Sequence, residues 1–409
     1  MFSLEKFYNI LHDNLISQLT NGKSIYFHPF GTYQTAMLIN QYGVTTNLPP
    51  YMPQRYSPLQ KPYVHCYFFD QEPLYQYTVP ILEQSLCVPD FVQGPRRFDI
   101  FANTEHSQLK RDLVKSKNLY DWYYFYHGFA ALDWYRDFQY MNPSSFNRFD
   151  KVFICYNHLI SKLRSYRLHL VSNIIEQDLL KHGLVSLFLN DNIGTWQEAI
   201  EDPENPLDNR ARVKIHQALH DRTEPLIIDT TEPNGSLSAE VNFKDLTRAL
   251  FHVVTETVYF LPKLHLTEKV FKPIVAKRPF FLVAAPGNLA YLKRYGFKTF
   301  DRWIDESYDL EEDHYIRIEK ITAELARLCA MDMSALEQMH LEMQEVLEYN
   351  FNHFYNGFKD KIVDELVDNF DGVLRQFNHG RIPNNHSRYH MRLELPNGQL
   401  EEVKKRLKQ

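Results

Sequence analysis

The chain has 409 residues, a formal net charge of −6 at pH 7, 44% hydrophobic and 23% charged residues. This length predicts two domains, the composition is typical of a soluble globular protein, and the net charge excludes a global attraction to polyanions such as nucleic acids. The sequence has neither a secretory leader at its N-terminus nor an apolar run long enough to span a membrane, so we expect a cytoplasmic protein without a membrane span.

Apolar and aromatic runs alternate with helical periodicity in the first 150 residues. The predicted strands are residues 24–28, 63–69, 98–102 and 122–127, and the predicted helices are residues 4–19, 32–41, 75–86 and 106–116. Residues 44–62, which are rich in proline and tyrosine, are predicted to form a loop. Strands that alternate with helices predict a parallel sheet covered by helices.

A second alternation begins near residue 151. The predicted strands are residues 152–156, 185–189, 225–228, 251–260 and 280–285, with a helix at 165–182, a polar insertion at 191–225 and helices from 314 to 377. The prediction is therefore an α/β fold of two Rossmann-like domains, residues 1–150 and 151–378, with terminal helices in the second domain and a solvated tail at 379–409.

The four cysteines, Cys66, Cys87, Cys155 and Cys329, lie far apart in apolar sequence. They form no Cys-x-x-Cys pair and have no histidine at zinc-site spacing. Buried free thiols in a reducing compartment are expected.

An acid and a base stand side by side in residues 265–276, HLTEKVFKPIVA, where a loop turns into a helix. The first turn of a helix has unpaired N–H groups and a partial positive charge, which favour phosphate. Lys269 can neutralise a diphosphate there, and Glu268 can accept hydrogen bonds from sugar hydroxyls. The pair indicates a nucleotide-sugar site, and the alternative is an ordinary helix start capped by Thr267.

This segment resembles the C-terminal motif of fucosyltransferase-type and exostosin-type glycosyltransferases, in which a Thr-Glu-Lys-aromatic run opens a helix under the donor nucleotide. It is also similar to viral and bacterial glycosyltransferase-like proteins with a TEK…KPI…PF pattern and later GFKTFD and IDESYD segments, which are residues 296–301 and 304–309 of this chain. The resemblance covers residues 150–310. It implies a GT-B arrangement of two domains with the chemistry in the cleft between them.

Three more residues are donor-site candidates besides Thr267, Glu268 and Lys269. Arg167 begins the helix after the strand that ends near Asn157, and the resembled proteins carry an Asn…(His/Tyr)-Arg arrangement at this place, which implies a bidentate diphosphate contact. Arg164 is the competing arginine. Glu256 resembles the strand-end glutamate that precedes the motif in fucosyltransferases, which implies a contact with nucleotide or sugar hydroxyls.

The segment YFFDQEP, residues 67–73, resembles a strand-end Glu-Ser-Pro of some fucosyltransferases, whose glutamate lies in the acceptor cleft. An inverting transfer needs a base that takes the proton of the acceptor hydroxyl. Glu72 is the first choice, Asp70 the second, and His127, next to Gly128, a third. The alternative is a polar turn that has no catalytic role.

No Asp-x-Asp metal triad follows a strand, and the acidic residues at 305–309 are predicted to be a helix cap or a surface loop. Cationic side chains would then stabilise the leaving group, so we expect neither a metal nor another cofactor. Phosphate-loop, nucleophile-elbow and dinucleotide fingerprints are missing as well. Their absence argues against a kinase, a hydrolase or a dehydrogenase.

The sequence therefore predicts an inverting glycosyltransferase that moves a sugar from a nucleoside-diphosphate sugar to an acceptor hydroxyl. One alternative is a viral enzyme, active in the host cytoplasm, that glycosylates a hydroxylated DNA base; it would need a local basic groove and base flipping. The other is a degenerate glycosyltransferase fold that only binds glycans or proteins.

Overall fold

The computed structural model describes residues 2–19, 23–26, 63–76, 79, 97–141, 148–160, 162–191, 194–228, 238–379 and 393–409. The chain divides into two compact units, Met1–Asp133 with Lys359–Gln409, and Trp134–Phe358. Within the described residues, each unit contains a sheet of four parallel strands, which confirms the predicted α/β class. Helix 32–41, loop 44–62, most of helix 75–86 and Cys87 lie outside the described residues.

Parallel strands alternate with helices in both units, and helices dominate the C-terminal third of the chain. The strands are β1 (Lys23–Tyr26), β2 (Tyr63–Phe69), β3 (Arg97–Asn103), β4 (Tyr120–Tyr123), β5 (Lys151–Cys155), β6 (Gly183–Val185), β7 (Ala249–Thr255) and β8 (Phe280–Val283). The helices are α1 (Leu4–Leu11), α2 (Gln108–Ser116), α3 (Tyr126–Trp134), α4 (Tyr166–Glu176), α5 (Trp196–Glu201), α6 (Asn209–Leu219), α7 (Phe243–Leu246), α8 (Phe271–Val275), α9 (Asn288–Arg294), α10 (His314–Cys329), α11 (Met333–Glu342), α12 (Gln344–His353), α13 (Lys359–His379) and α14 (Gln399–Lys408). Short 3-10 turns cover Arg136–Tyr140, Lys162–Arg164, Leu180–His182, Glu268–Val270 and Ser307–Leu310. A π-helical turn, His12–Ile16, and a helical turn, Ser17–Leu19, follow α1, and a second π-helical turn, Phe354–Phe358, precedes α13.

In the first unit the sheet order is β1-β2-β3-β4. Phe69 pairs with Asn103, and Asn103 pairs with Tyr123, so β2, β3 and β4 end at the same edge of the sheet. Side chains that follow these strands therefore gather at one edge. Ser107 caps α2 by accepting a hydrogen bond from the Lys110 amide, which is the usual role of a serine before a helix.

Helix α13 belongs to the first unit, although the sequence placed residues 151–378 in one domain. The indole N–H of Trp122 in β4 donates to the Leu366 carbonyl at 3.1 Å, and the Trp122 ring lies 4.6 Å from the Phe370 ring. An apolar stripe at helical spacing shows that a helix is amphipathic. It carries no information about which sheet the helix covers.

The C-terminal residues form a packed helix, so the predicted solvated tail is wrong for residues 399–408. Val403 and Leu407 of α14 are buried. Lys404 and Lys408 pair with Asp364 of α13. The many charges of this segment lie on the outer face of an amphipathic helix, and they made its two buried apolar residues hard to recognise in the sequence.

The predicted strand 122–127 ends at Tyr123, and His127 lies in helix α3. Residues 126–132 of α3 are all buried. A helix buried on all sides shows no polar face, so its sequence looks like the continuation of a buried strand. His127 is therefore not a strand-end residue.

In the second unit the sheet order is β6-β5-β7-β8. The chain adds β6 on one side of β5 and then β7 and β8 on the other, so the order reverses between β5 and β7. Every residue of β7 is buried, as expected for a central strand of a parallel sheet. Strand β7 ends at Thr255, five residues earlier than predicted.

One predicted strand of this unit is wrong. The predicted strand 225–228 contributes one isolated antiparallel bridge, between Leu226 and Leu187. The predicted insertion 191–225 contains α5, which begins with a capping box between Thr195 and Glu198, and α6, whose Ile215 is buried.

Cys66, Cys155 and Cys329 are buried free thiols, as predicted. Within the described ranges, no helix combines the length and the apolar character needed to cross a membrane.

Candidate functional site

The candidate donor site of the second unit lies where the sheet order reverses. In open α/β sheets, ligands bind outside the carboxyl ends of the strands at such a switch point. All six predicted donor residues follow β5 or β7. Asn157 comes two residues after β5 and Arg167 lies in the first turn of α4, while Glu256 follows β7 directly and the 267–269 turn comes later.

Glu256 is completely buried, and its carboxylate accepts three hydrogen bonds. The Thr267 hydroxyl donates to Oε2 at 2.6 Å, the Thr267 amide to Oε1 at 3.3 Å, and the Thr257 amide to Oε2 at 3.3 Å. Burial raises the pKa of the Glu256 carboxyl, while the positive charge of Lys269 and the hydrogen bond from Thr267 oppose the rise. The cost of burying this carboxylate is thus offset by local donors.

The Lys269 ammonium group is held by three oxygen atoms. Its Nζ lies 2.9 Å from Glu268 Oε1, 3.3 Å from Thr267 Oγ1 and 3.4 Å from Thr257 Oγ1. The Lys269 side chain keeps 31% of its surface exposed, whereas Glu268 is buried. Thr267 also caps the 3-10 turn by accepting from the Lys269 amide. The helix-start alternative and the binding role of this motif are therefore compatible.

Arg167 ties the ends of β5 and β7 together. Its guanidinium donates to the Leu159 carbonyl at 2.9 Å and to the Thr255 carbonyl at 3.2 Å. The side chain is buried, and Nε has no hydrogen-bond partner within the described part of the chain. The competing Arg164 is half-buried in the preceding 3-10 turn. Arg167 brings a fixed positive charge to the switch point, but backbone carbonyls occupy its Nη atoms.

Asn157 joins β5 to β6. Its amide N–H donates to Ser186 Oγ at 2.8 Å, and its side-chain Nδ2 donates to the Ser186 carbonyl at 3.1 Å. Asn157 is fully buried, and no described residue contacts its Oδ1 at hydrogen-bond distance. The residue thus holds the segment after β5 against Ser186, which follows β6.

Sequence-based prediction did not assign Thr257, Tyr166 or Tyr135 to this donor site. Thr257 Oγ1 is among the three oxygen atoms around Lys269 Nζ. The Tyr166 hydroxyl donates to the Glu256 carbonyl, and the Tyr166 ring stacks on Tyr259 with centroids 4.3 Å apart. Burial raises the pKa of Tyr135 well above its usual value, and the nearby charges of Glu268 and Glu256 add to the rise. The high aromatic content of the chain did not indicate which tyrosines lie at this site.

Asp70 follows β2 in the first unit and is completely buried. Its Oδ2 accepts hydrogen bonds from Tyr8, at 2.8 Å, and from Tyr124. Burial raises the pKa of Asp70 to about 6, against the opposing hydrogen bonds of the two tyrosines and the charge of His127. Asp70 Oδ1 has no hydrogen-bond partner among the residues that the structure describes.

Glu72 and His127 complete the predicted acceptor set. Glu72 lies in a bend after β2 and is half-buried, so it is more accessible than Asp70. His127 is buried in the first turn of α3. A bend, rather than an extended segment, follows β2, so the rule that alternate residues of a strand share one face does not hold for Asp70 and Glu72.

A buried carboxylate that the sequence analysis did not select, Glu105, lies near the same sheet edge. It accepts hydrogen bonds from the Leu74 amide, at 2.7 Å, and from the Ser107 hydroxyl. Glu105 thus joins the segment after β2 to the N-terminus of α2. We interpret it as a structural group.

The acidic residues at 305–309 stabilise local backbone, as predicted. Asp309 accepts from the amides of Leu289, at 3.0 Å, and Ala290, at 3.2 Å, and so caps α9. Glu306 accepts from Thr299 Oγ1 and the Phe300 amide, both at 2.7 Å. In the described part of the chain, no group of three or more His, Cys, Asp or Glu side chains is arranged to hold a metal ion.

No protein-family model and no curated protein matches the chain. Among solved structures it is similar to a crystal structure of alpha,alpha-trehalose 6-phosphate synthase from Burkholderia multivorans, with 11% sequence identity and a TM-score of 0.35. The similarity covers 93% of this chain and 79% of that chain. It is too distant to assign the chain to a family.

Proposed function

We propose that the protein is a glycosyltransferase of the GT-B type that uses a nucleoside-diphosphate sugar as donor. The observation that supports this proposal is the position of Lys269 and Glu268 at the switch point of the second unit. A partly exposed ammonium group and an adjacent carboxylate follow the central strand β7, on the side where parallel sheets bind nucleotides.

The paired charges favour a ligand that carries both phosphate and hydroxyl groups. A simple anion at Lys269 would meet the negative charge of Glu268 at close range. A nucleotide sugar offers phosphate oxygens to the ammonium group and donates hydroxyl protons to the carboxylate, so both charges are used. The fixed positive charge of Arg167 adds long-range attraction for a diphosphate.

The acceptor is deprotonated by Glu72 of the first unit in this proposal. In an inverting transfer the base takes the hydroxyl proton as the acceptor oxygen bonds to the anomeric carbon, and the bond to the leaving diphosphate breaks on the opposite face. Lys269 balances the charge that develops on the diphosphate, so the reaction needs no divalent ion. Asp70, which is buried and bound by two tyrosines, and His127 are the competing bases.

Calorimetry with a panel of nucleoside diphosphates and their sugars tests the proposal. We expect nucleotides with one particular nucleobase to bind more tightly than the others. Lys269→Ala should weaken this binding about tenfold or more, the usual effect of losing a charge-assisted hydrogen bond. The matched control is Lys293→Ala, which removes another lysine paired with an acid, Asp301 at 3.1 Å. If wild-type protein binds no nucleotide, or if Lys269→Ala retains full affinity, the proposal is wrong.

Mixing the bound nucleotide sugar with candidate acceptors then distinguishes an enzyme from a binding module. We expect release of nucleoside diphosphate in the presence of an acceptor hydroxyl. Nucleotide binding without release from any donor would identify a degenerate fold. Salt-dependent binding to duplex DNA would instead favour a base-modifying enzyme.

A further inference from the structure

Glu256 has no surface to offer to a ligand. Its side chain is completely buried, and the three hydrogen bonds that it accepts all come from its own chain, at Thr267 and Thr257. The contact with nucleotide or sugar hydroxyls that the family resemblance implies is therefore not available in this conformation. A different role must explain a carboxylate buried beside the binding lysine.

We propose that Glu256 and Thr267 form a positioning relay that fixes the Lys269 ammonium group for the ligand. The argument depends on the direction of one hydroxyl proton. A threonine hydroxyl has a single proton to donate and two lone pairs. Because Thr267 Oγ1 donates this proton to Glu256 at 2.6 Å, its lone pairs are left to accept from Lys269 Nζ at 3.3 Å.

The geometry fits an ionised Glu256. All three of its partners are donors, and an O–H···O distance of 2.6 Å lies within the range of hydrogen bonds to a carboxylate. A protonated carboxyl would instead need an acceptor. The negative charge of Glu256 therefore orients the hydroxyl, and the hydroxyl in turn orients the ammonium group.

Lysine needs such an arrangement more than arginine does. Its four-carbon side chain is flexible, and a free ammonium group samples many positions. In this protein Glu268, Thr267 and Thr257 surround Nζ and hold it in one place. The relay thus reduces the entropy lost when Lys269 binds a phosphate. This role rests on the proposed function, because the nucleotide is the ligand that Lys269 is positioned to meet.

The relay can be tested first without any ligand, from the rate of Lys269 acetylation followed by peptide mass spectrometry. Thr267→Val removes the hydroxyl, and we expect acetylation of Lys269 to become several-fold faster, because a lysine side chain that the hydroxyl no longer holds is more often accessible to the reagent. Thr267→Ser keeps the hydroxyl and should react like wild type. Thr247→Val is the control. Thr247 is also a buried threonine, but its hydroxyl donates to the Phe243 carbonyl and has no part in the relay.

A double-mutant cycle on nucleotide affinity is the second test. Thr267→Val should weaken binding of the nucleoside diphosphate about tenfold in wild type and have no further effect in the Lys269→Ala background, with circular dichroism confirming that each variant is folded. Equal losses in both backgrounds, or an unchanged acetylation rate, would overturn the relay. Wild-type protein that binds no nucleotide while its acetylation pattern follows the expectation would overturn the proposed function and leave the relay supported.

Discussion

The Tyr8 hydroxyl of α1 donates to Asp70 Oδ2 at 2.8 Å, a hydrogen bond between residues 62 positions apart. It connects the first helix of the chain to the carboxyl edge of the first sheet. The carboxyl that it meets is buried, and its pKa is raised to about 6. A buried acid of this kind makes the stability of the fold depend on pH.

The pH dependence of Asp70 has a defined sign. Because its pKa is higher in the folded state than in the unfolded state, the folded state binds the proton more tightly, and stability falls as pH rises from about 4 to about 6. The loss above pH 6 is on the order of 3 kcal/mol. Asp70→Asn lacks this loss, so we expect its stability relative to wild type to increase between pH 4.5 and pH 7.5, as measured by urea unfolding. A relative stability independent of pH would contradict the raised pKa.

Glu72→Gln tests the choice of base. We expect kcat to fall by about 100-fold or more, the usual contribution of a general base, while donor affinity stays the same. Asp70→Asn and His127→Gln should be measured beside it under saturating donor. If Glu72→Gln turns over normally, the base is whichever of the other two variants loses activity.

Removal of divalent ions tests the metal independence of the proposed transfer. We expect turnover in excess EDTA to equal turnover in added magnesium or manganese, because Lys269 carries the compensating charge. The comparison requires an acceptor and donor already identified by the binding screen. A large loss in EDTA that manganese restores would show that the leaving group depends on a metal ion.

Asp309→Ala removes the carboxylate that accepts from two amides at the start of α9. Loss of a helix cap costs about 1 kcal/mol, up to about 2, so a decrease of that size in the free energy of unfolding is expected. Asp301→Ala, which removes an acid from the same region, is the control because its side chain is 68% exposed. The two variants should differ in chemical unfolding, and equal stabilities would contradict the capping role.

Leu407→Ala tests whether α14 is part of the first unit. Truncating a buried leucine costs about 2–5 kcal/mol, whereas Glu401→Ala on the exposed face should change stability by less than about 0.5 kcal/mol. Differential scanning calorimetry would show the loss as a lower melting temperature of the transition that includes the first unit. A Leu407→Ala protein as stable as wild type would mean that the C-terminal helix is dispensable.

The sequence predicted those features that local pattern determines. Apolar runs located β2, β5 and β8, and the Thr267-Glu268-Lys269 turn fell after the central strand of its sheet as the motif indicated. Partners distant in sequence were not predictable, because no pattern within α1 relates Tyr8 to Asp70. The burial of Glu256 was likewise not predictable. A carboxylate between two threonines in the sequence is as typical of an exposed strand end as of a buried one.

The two compact units differ in how the chain supplies them. Trp134–Phe358 is continuous, but the first unit also includes α13, which packs against Trp122 of β4, and α14, which pairs with α13. During synthesis, residues 134–358 can therefore form their native contacts before residues 359–409 have been made. The first unit cannot be complete at that stage. A nascent chain would therefore lack the α13 partner of Trp122 until residues 359–379 have been synthesised, and chaperones protect exposed apolar surface of this kind.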